Sequence, residues 1–365
     1  MEFIRVEDCC EILDSQRKPV TESERIPGMY PYYGANGIQG TINQYIFDDK
    51  LVLVAEDGGH FGSKIKPIAY LVNGKCWVNN HAHVLRAKKG FLAEYICYSL
   101  MFYKIEGYIN GATRQKLTQA ALRKLIIPKR TVEYQKAIVD RLDLVKCIIE
   151  KKQNIINELE LLIKSRFVEL FGDVVLNTLN WPLVKLSAIA EYRIGLTYKP
   201  EAVSSSGIAV LRSGNIQNSQ LCYEDTIYVN SKVDPKLLLK KNDILMCARN
   251  GSQSLVGKVA LIENDISNTT YGAFMMAISS KYYVYLFEYF RSQDFRRLIS
   301  VGSTTTINQV TTRMLNSIVI PLPDLDTINR FALYHSQINK LKSDVQKSID
   351  ETQLLMDSLM QEYFG

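Results

Sequence analysis

Residues 111–130 read "GATRQKLTQAALRKLIIPKR", and residues 302–323 read "GSTTTINQVTTRMLNSIVIPLP". Both stretches begin with a Gly and small or polar residues, continue through a Leu, and end in an aliphatic run closed by Pro. Each stands directly before a long segment with a helical pattern. We call these two stretches the repeated motif, because a pattern that recurs in the same setting indicates that a domain has been duplicated.

The spacing of further residues supports duplication. The closing prolines of the repeated motif, Pro128 and Pro321, are 193 residues apart (321 − 128). The same offset pairs Ala55 in "LVLVAEDGG" with Ala248 in "ILMCARNGS". Near the start of each copy the offset falls to 180, where "FIRVEDCCE" faces "LVKLSAIAE". Fixed anchors with a changing offset are typical of loop insertions, so we predict two diverged copies, each a globular part followed by a long helix.

The composition is that of a globular protein. Hydrophobic residues make up 47% of the 365 residues and charged residues 22%, which is enough to bury a core. The sequence has no apolar run of membrane-spanning length, and its first residues lack the apolar region of a signal peptide. Seven cysteines without a C-x-x-C pair favour reduced thiols in the cytoplasm. The net charge of +6 permits a polyanionic partner without requiring one.

Two long amphipathic helices are predicted, at residues 133–170 and 327–363. In the first, apolar residues recur every seven positions in two registers, interrupted by Lys152 and Arg166, as in a coiled coil. A helix of about 38 residues is about 55 Å long and exceeds the diameter of one copy, so we expect the two helices to pair. The predicted core positions are Ile138, Leu142, Val145, Ile149, Ile156, Leu159, Ile163, Phe331, Ile338, Val345, Ile349 and Leu359.

Each globular part is predicted to be α+β. Runs such as "KLVLVA" and "IKPIAYLV" have strand composition, whereas residues 91–108 and their counterpart 282–299 have helical spacing. The chain is therefore divided into five segments: a first globular domain at 1–130, a helix at 131–172, a linker at 173–180, a second globular domain at 181–323, and a helix at 324–365.

The sequence resembles a known family, the specificity (S, or HsdS) subunits of type I restriction-modification systems. The resemblance covers essentially the whole chain. It rests on "YPYYGANGIQGTINQYIFDD", "VLVAEDGG", "WVNNHAHVL", the repeated motif and the helix ending in "LFGD". The resemblance implies that each globular part is a target recognition domain and that the two helices form an antiparallel coiled coil. The implied fold class is α+β, with two pseudo-repeated recognition domains separated by the two helices.

The same resemblance implies a function without catalysis. Each recognition domain reads one half of an asymmetric, bipartite DNA target, and the coiled coil fixes the gap. It also docks two methyltransferase (M) subunits and, through the complex, the restriction/translocase (R) subunits. S-adenosylmethionine, ATP and Mg are expected in those partners, and no cofactor is expected in this chain. The implied setting is the cytoplasm, without a membrane.

Candidate DNA-binding residues are polar side chains on turn-rich stretches, because base edges are read by Arg, Lys, Asn, Gln, Ser and Thr. In the first domain they are Arg17, Lys18, Asn36, Gln39, Lys64, Lys66, Asn80, His81, Arg114, Gln115 and Lys116. In the second domain they are Lys199, Arg212, Asn215, Gln217, Arg249, Asn250, Gln253, Thr305 and Asn308.

Two alternatives stay open. A specificity subunit of a restriction system that cuts on both sides of its site would have the same architecture. A metal-dependent hydrolase could instead use His60, His81 and His83, although two histidines on one strand suit a metal only with further ligands. No phosphate-binding loop and no nucleophile-elbow motif occurs in the sequence, so we predict no catalytic residue and no metal site.

Overall fold

The computed structural model describes residues 2–63, 65–111, 115–301 and 308–365. Within these residues the chain forms two compact units. Unit 1 consists of residues 1–154 with 346–365, and unit 2 consists of residues 155–345. Each unit therefore contains one globular part and one segment of each long helix. The bounds of the five predicted segments remain a prediction.

Unit 1 combines strands with three short helices. Its described strands are β1 (Phe3–Arg5), β2 (Cys10–Ile12), β3 (Tyr30–Gly34), β4 (Gly37–Ile42), β5 (Phe47–Ala55), β6 (Ala69–Val78), β7 (Ala82–Ala87), β8 (Ile109–Asn110), β9 (Lys116–Leu117) and β10 (Ile126–Pro128). Its short helices are α1 (Val6–Cys9), α2 (Ala93–Met101) and α3 (Gln119–Lys124). The main sheet has six strands in the order β2-β7-β5-β6-β3-β4.

Strand β5 is the centre of unit 1. Leu51, Val52, Leu53 and Val54 are all completely buried. Val52 and Val54 pack in the cluster that includes helix α2, whereas Leu51 and Leu53 pack in the cluster on the opposite face. A strand covered on both faces is apolar at every position, which explains why "LVLV" has no alternation of polar and apolar residues.

Unit 2 has its strands in two four-stranded sheets and two short pairs. The described strands are β11 (Leu183–Lys185), β12 (Glu191–Ile194), β13 (Val203–Ser204), β14 (Ile208–Leu211), β15 (Ile216–Gln217), β16 (Gln220–Leu221), β17 (Ile227–Val229), β18 (Ile244–Cys247), β19 (Val259–Leu261), β20 (Thr269–Tyr271), β21 (Met275–Ser279) and β22 (Val319–Pro321). The sheet orders are β12-β21-β18-β19 and β13-β17-β14-β20. Its short helices are α5 (Tyr283–Arg291), α6 (Gln293–Val301) and α7 (Thr312–Ser317).

Strand β18 occupies the place in unit 2 that β5 has in unit 1. Ile244 and Met246 pack in one core cluster, and Leu245 and Cys247 pack in the cluster on the other face. The sequence "ILMC" is therefore buried on both sides, like "LVLV" in unit 1.

The repeated motif has one structure in both units where it is described. Thr118 and Thr311 each cap a six-residue helix, α3 and α7, by accepting a hydrogen bond from a backbone N–H. The aliphatic run then forms a strand that pairs with the first strand of its own copy, β10 with β1 and β22 with β11. The closing carbonyls of Pro128 and Pro321 each accept a hydrogen bond from a buried tyrosine, of α2 and α5 respectively. The motif thus closes each globular part.

The two helical regions before the motif differ from the prediction and from each other. The pattern at residues 91–108 gives a helix only as far as Met101, whose carbonyl accepts the Ile68 N–H and is thereby drawn into a contact with the sheet. In unit 2 the corresponding region is two helices, and the Ser292 hydroxyl between them accepts a hydrogen bond from the Phe295 N–H of the second. Helical periodicity reveals neither the tertiary contact at the end of α2 nor the local serine cap at the start of α6.

The two long helices are α4 (Val132–Phe171) and α8 (Leu325–Phe364), of 40 residues each. Within unit 1, Arg141 on α4 hydrogen-bonds Tyr363 on α8, and Lys152 further along α4 contacts Ser348, earlier on α8. The two segments are therefore antiparallel. Unit 2 repeats this arrangement, with the rings of Phe167 and Phe331 5.6 Å apart and the Glu160–Lys342 ion pair at 2.6 Å. The predicted antiparallel pairing is confirmed within each unit.

The predicted core positions of the helices differ in burial. Buried positions are Ile138, Leu142, Val145, Ile163, Phe331, Ile338 and Ile349, and half-buried positions are Ile149, Ile156, Leu159, Val345 and Leu359. Most of the buried positions belong to the core clusters of the globular parts. The helices are therefore covered best where a globular part packs on the helix pair.

Candidate DNA interface

In unit 1 the candidate residues converge on the turn that follows β5, Glu56–Gly58. The Glu56 N–H donates to the His81 carbonyl at 2.9 Å, and the Glu56 carbonyl accepts the Leu117 N–H at 2.7 Å. Asp57 forms a β-bridge with Lys116. The turn is thus held by backbone contacts to two segments that are distant in sequence, and it brings their polar side chains together.

Charged side chains around this turn form a network. Glu56 accepts Arg17 Nη1 at 2.6 Å and Lys116 Nζ at 2.9 Å. Burial raises the pKa of Glu56, but the hydrogen bonds from Arg17 and Lys116 outweigh this effect, and its pKa lies below the ordinary value. Two candidate DNA-binding cations are therefore engaged by one carboxylate in the free protein.

Asp14 anchors the buried side of the network. Its carboxylate faces His83 Nδ1 at 2.6 Å and accepts the Val84 N–H at 2.9 Å and Gln119 Nε2 at 3.0 Å. Burial raises the pKa of Asp14, yet these contacts bring it below the ordinary value. His83 is fully buried, and its Nε2 lies 2.8 Å from the Leu117 carbonyl, which can only accept, so that nitrogen donates.

This geometry does not favour a metal-dependent hydrolase. Asp14, Glu56 and His83 each offer a ligand atom, and these atoms lie within 4.8 Å of one another. However, the Arg17 guanidinium already contacts both carboxylates, at 2.6 Å and 3.5 Å, and supplies the positive charge there. His81 contacts a different carboxylate, Asp57, at 2.6 Å, so the predicted histidine set does not converge.

Amide side chains lie around the same turn. Asn36 Nδ2 donates to the Gly58 carbonyl at 2.9 Å. Gln39 accepts a hydrogen bond from Asn79, whose own oxygen accepts the His81 N–H. Asn36 and Gln39 are exposed and held by these contacts, which makes them rigid polar groups at the surface.

Unit 2 has the equivalent turn at Ala248–Asn250. The Ala248 N–H donates to the Phe274 carbonyl at 2.9 Å, and the Ala248 carbonyl accepts the Val310 N–H at 2.7 Å. Arg249 forms a β-bridge with Gln309. These are the contacts that Glu56 and Asp57 make in unit 1.

The equivalence corrects the sequence alignment by one residue. The strand pairs Val54–His83 and Ala55–Ala82 correspond to Met246–Met276 and Cys247–Met275. Ala55 therefore matches Cys247 and not Ala248, and the offset at this strand is 192. The residue types could not fix this register, because residues 51–55 and 244–248 are apolar at every position and a shift by one conserves that pattern.

The remaining candidates of unit 2 divide into two groups. Asn250 donates to Ser213, and Asn308 donates to the Gly251 carbonyl, so both lie at the Arg249 turn. Asn215 is buried, accepts the Arg212 N–H and donates to the Cys222 carbonyl. Because it is buried among these partners, its side chain does not lie at the surface with the exposed candidates.

The other candidates are located as follows. Exposed side chains are Lys18, Lys66, Asn80, Gln115, Lys116, Lys199, Arg212, Gln217 and Gln253. Lys64, Arg114 and Thr305 lie outside the described residues. Sequence analysis missed the residues that hold the turns, notably Asp14, Glu56, Asp57 and Phe274, because they act through contacts to segments that are distant in the sequence. The signal that could have found Glu56 and Asp57 is their position directly after the apolar residues 51–54.

Taken together, the fold defines a duplicated α+β protein in which each unit carries a polar turn after a doubly buried strand, beside two antiparallel helix segments. The sequence profile described as "Type I restriction modification DNA specificity domain" matches residues 1–161 and 179–356. The chain belongs to this family, and the two matches correspond to the two copies.

Individual relatives agree with this assignment. A stretch of 143 residues is 35% identical to the putative type I restriction enzyme specificity subunit S.HindORF215P of Haemophilus influenzae, covering 39% of this chain and 37% of that protein. The match thus spans little more than a third of that relative. The type I restriction enzyme MjaVIII specificity subunit of Methanocaldococcus jannaschii is 21% identical, with 98% of this chain and 91% of that protein covered.

The fold is similar to that of a solved relative. The S subunit of the type I restriction-modification system from M. genitalium has a TM-score of 0.58 to this chain at 14% identity, covering 100% of this chain and 96% of the other. Among the described helices, none combines the length and apolar character needed to cross a bilayer.

Proposed function

We propose that this chain is the non-catalytic DNA-specificity subunit of a type I restriction-modification complex. The observation that carries the proposal is the pair of equivalent turns, each presenting polar side chains that the fold holds rigidly, in a chain of this family. Each globular part reads one half of a bipartite DNA target. Since the side chains at the two turns differ, the two half-sites differ as well. The helices fix the gap between them.

Methyltransferase subunits are the proposed partners of the long helices. In unit 1, α4 exposes Tyr134, Leu144 and Ile148, and in unit 2 it exposes Leu161 and Val168. Exposed apolar side chains beyond the helix seam are typical of a protein interface. One such surface in each unit suits two methyltransferase subunits, through which the restriction/translocase subunits join the complex.

Chemistry belongs to the partners in this proposal. S-adenosylmethionine serves the methyltransferase subunits, and ATP and Mg serve the translocase, whereas this chain uses no cofactor. Work on cellular DNA implies the cytoplasm. The basic pI of about 8.7 suits phosphate contacts, whose affinity falls steeply with salt.

The test is a map of modified bases in DNA from cells that express this chain with its methyltransferase partner, compared with cells that lack only this chain. We expect a methylated, asymmetric bipartite motif that disappears without the chain. Identical maps, with the complex shown to be expressed, would contradict the proposal.

Exchanging residues 1–130 for those of a relative with another target sharpens the test. We expect one half of the motif to change, while the other half and the gap stay the same. A change in both halves would show that the globular parts do not read DNA independently.

A further inference from the structure

The turns of the two units carry opposite charges at one equivalent position. Three contacts in each unit establish the equivalence: the N–H and carbonyl hydrogen bonds of Glu56 match those of Ala248, and the bridge of Asp57 to Lys116 matches that of Arg249 to Gln309. The pairings of β5 with β7 and of β18 with β21 agree with it. The same contacts match His81 with Phe274.

Each side chain at this position is supported by its equivalent neighbour. In unit 1, the Asp57 carboxylate lies 2.6 Å from His81 Nδ1. In unit 2, the Arg249 guanidinium lies over the Phe274 ring, 5.3 Å from its centroid. Both members of the contact therefore differ between the units: a carboxylate with an imidazole in unit 1, and a guanidinium with a phenyl ring in unit 2.

Arg249 is ready to bind a ligand. Its side chain is exposed, and the contact of its guanidinium with the described residues is the face of the Phe274 ring. The backbone beneath it is fixed, because the Arg249 N–H donates to the Phe274 carbonyl and the Asn250 N–H to the Asn308 carbonyl. A planar, fork-shaped donor on a rigid turn binds a group with two adjacent acceptors.

On duplex DNA two kinds of group fit this fork: a phosphate, and the O6 and N7 acceptors of guanine in the major groove. Phosphate contacts are independent of sequence, and an Asp at such a position would repel the backbone. Unit 1 has Asp57 at the equivalent position. Carboxylates accept hydrogen bonds from exocyclic amines of bases, so a base-reading position tolerates both residues and a phosphate-binding position does not.

We propose that Arg249 is a specificity-determining residue that reads a guanine in the half-site of the second globular part, with Phe274 positioning its guanidinium. This inference rests on the proposed DNA-specificity function and deepens it. It commits unit 2 to a G·C pair at one place in its half-site.

The experiment uses the full complex of this chain with its methyltransferase partner. Methylation rates are measured on duplexes in which each base pair of the wild-type motif is replaced in turn, for wild type, Arg249→Ala and Arg249→Lys. Exchange of residues 1–130 first identifies which half-site belongs to unit 2. Arg297→Ala, which changes an exposed arginine on α6 paired with Asp294, is the matched control.

We expect Arg249→Ala and Arg249→Lys to lower the preference for guanine at one position of the second half-site by roughly tenfold or more. Lys retains the charge but not the fork, so it should not restore the preference. Arg297→Ala should leave the motif and the rates unchanged. Phe274→Leu should weaken the same preference less, which supports the positioning role without removing the guanidinium.

Three results would overturn the inference: a second half-site without guanine, a motif unchanged by Arg249→Ala, or a uniform loss of rate on all sequences that Lys restores. The last pattern belongs to a phosphate contact and leaves the DNA-specificity function intact. Absence of any motif with the wild-type complex would refute the proposed function instead.

Discussion

The turn after the central strand is acidic in unit 1 and basic in unit 2, although the backbone around it is the same. In unit 1, Glu56 engages the cations Arg17 and Lys116 and Asp57 contacts His81, whereas in unit 2 the Arg249 guanidinium is exposed. After duplication the hydrogen bonds that build the frame were conserved, and the side chains on it changed. The backbone frame of the turn is therefore the same in the two units, independently of the side chains that it carries.

The interiors of the two units have also diverged. Near the start of α4, Gln135 is fully buried and makes three hydrogen bonds, whereas its counterpart on α8 is the apolar Ile328. Along the helix seam, Lys152 in unit 1 is bound by hydroxyls of Ser348 and Thr352. In unit 2, Glu160 contacts both Lys342 and Arg291. Each unit thus solves the same packing problem with its own polar contacts.

Removing Asp14, which anchors the acidic turn of unit 1, should have the largest effect on the free energy of unfolding. Asp14→Ala leaves His83 and the Val84 N–H without their buried partner, and we expect the free energy of unfolding to fall by about 3–5 kcal/mol. Denaturant unfolding of the purified chain measures this. Asp49→Ala, which breaks an exposed pair with Arg86, is the control and should cost less than about 1 kcal/mol. Equal losses for the two variants would mean that the network does not stabilise unit 1.

Acid should weaken the contacts between α4 and α8 in unit 2 more than those in unit 1. Burial raises the pKa of Glu160, but the hydrogen bond from Lys342 and the charge of Arg291 lower it to about 2. A carboxyl group whose pKa is lowered by folding stabilises the fold at pH values above its pKa in the unfolded chain, about 4.5. This contribution is lost as the pH falls from 4.5 towards 2.

Glu160→Gln tests this difference. We expect the variant to lose about 2–3 kcal/mol at pH 7, a figure reduced because the side chain is about a fifth exposed. The difference in the free energy of unfolding between wild type and variant should shrink below pH 4.5. Unfolding curves at several pH values measure it, with the exposed Glu169→Gln as control. A difference that stays constant down to pH 3 would contradict the contacts of Glu160 with Lys342 and Arg291.

Replacing Gln135 of unit 1 by isoleucine, the residue type of its unit 2 counterpart Ile328, should destabilise the protein moderately. Gln135→Ile removes hydrogen bonds to the Leu92 N–H and to the carbonyls of Gly90 and Arg130, and we expect a loss of about 1–3 kcal/mol. The exposed Gln153→Ile on the same helix should change stability by less than about 0.5 kcal/mol. If Gln135→Ile were neutral, the two seams would be interchangeable at this position.

The smallest effect on stability is expected at the proposed reading position. Arg249→Ala should change the free energy of unfolding by less than about 0.5 kcal/mol, since the exposed guanidinium contacts only the face of Phe274. Thermal unfolding of the chain measures this. A large loss would assign Arg249 to the frame and remove the distinction between frame and specificity at this turn.

Much of the fold could be predicted because it repeats. The motif that closes each copy has a Thr cap, a short helix and a Pro-ended strand in both units, and each of these is set by local sequence. The seven-residue pattern predicted α4 to within one residue at each end. Helix lengths before the motif were not predicted, because a contact from Ile68 ends α2 and a local serine cap, Ser292, divides α5 from α6.

The candidate site was predictable only in part. Polar side chains at turns were identified by type, and several of them do gather at the turns after β5 and β18. Asn215 was not distinguishable from an exposed asparagine, because its buried partners are carbonyl and hydroxyl groups later in the chain.

The sequence by itself determined the duplication, the long paired helices and the family, because these depend on periodicity and on motifs that local chemistry constrains. Only the tertiary structure decided that Asp57 and Arg249 occupy the same place. The segments directly before the two turns, residues 51–55 and 244–248, are apolar at every position, so a shift by one residue leaves their pattern unchanged. Only the hydrogen bonds to distant segments fix the register.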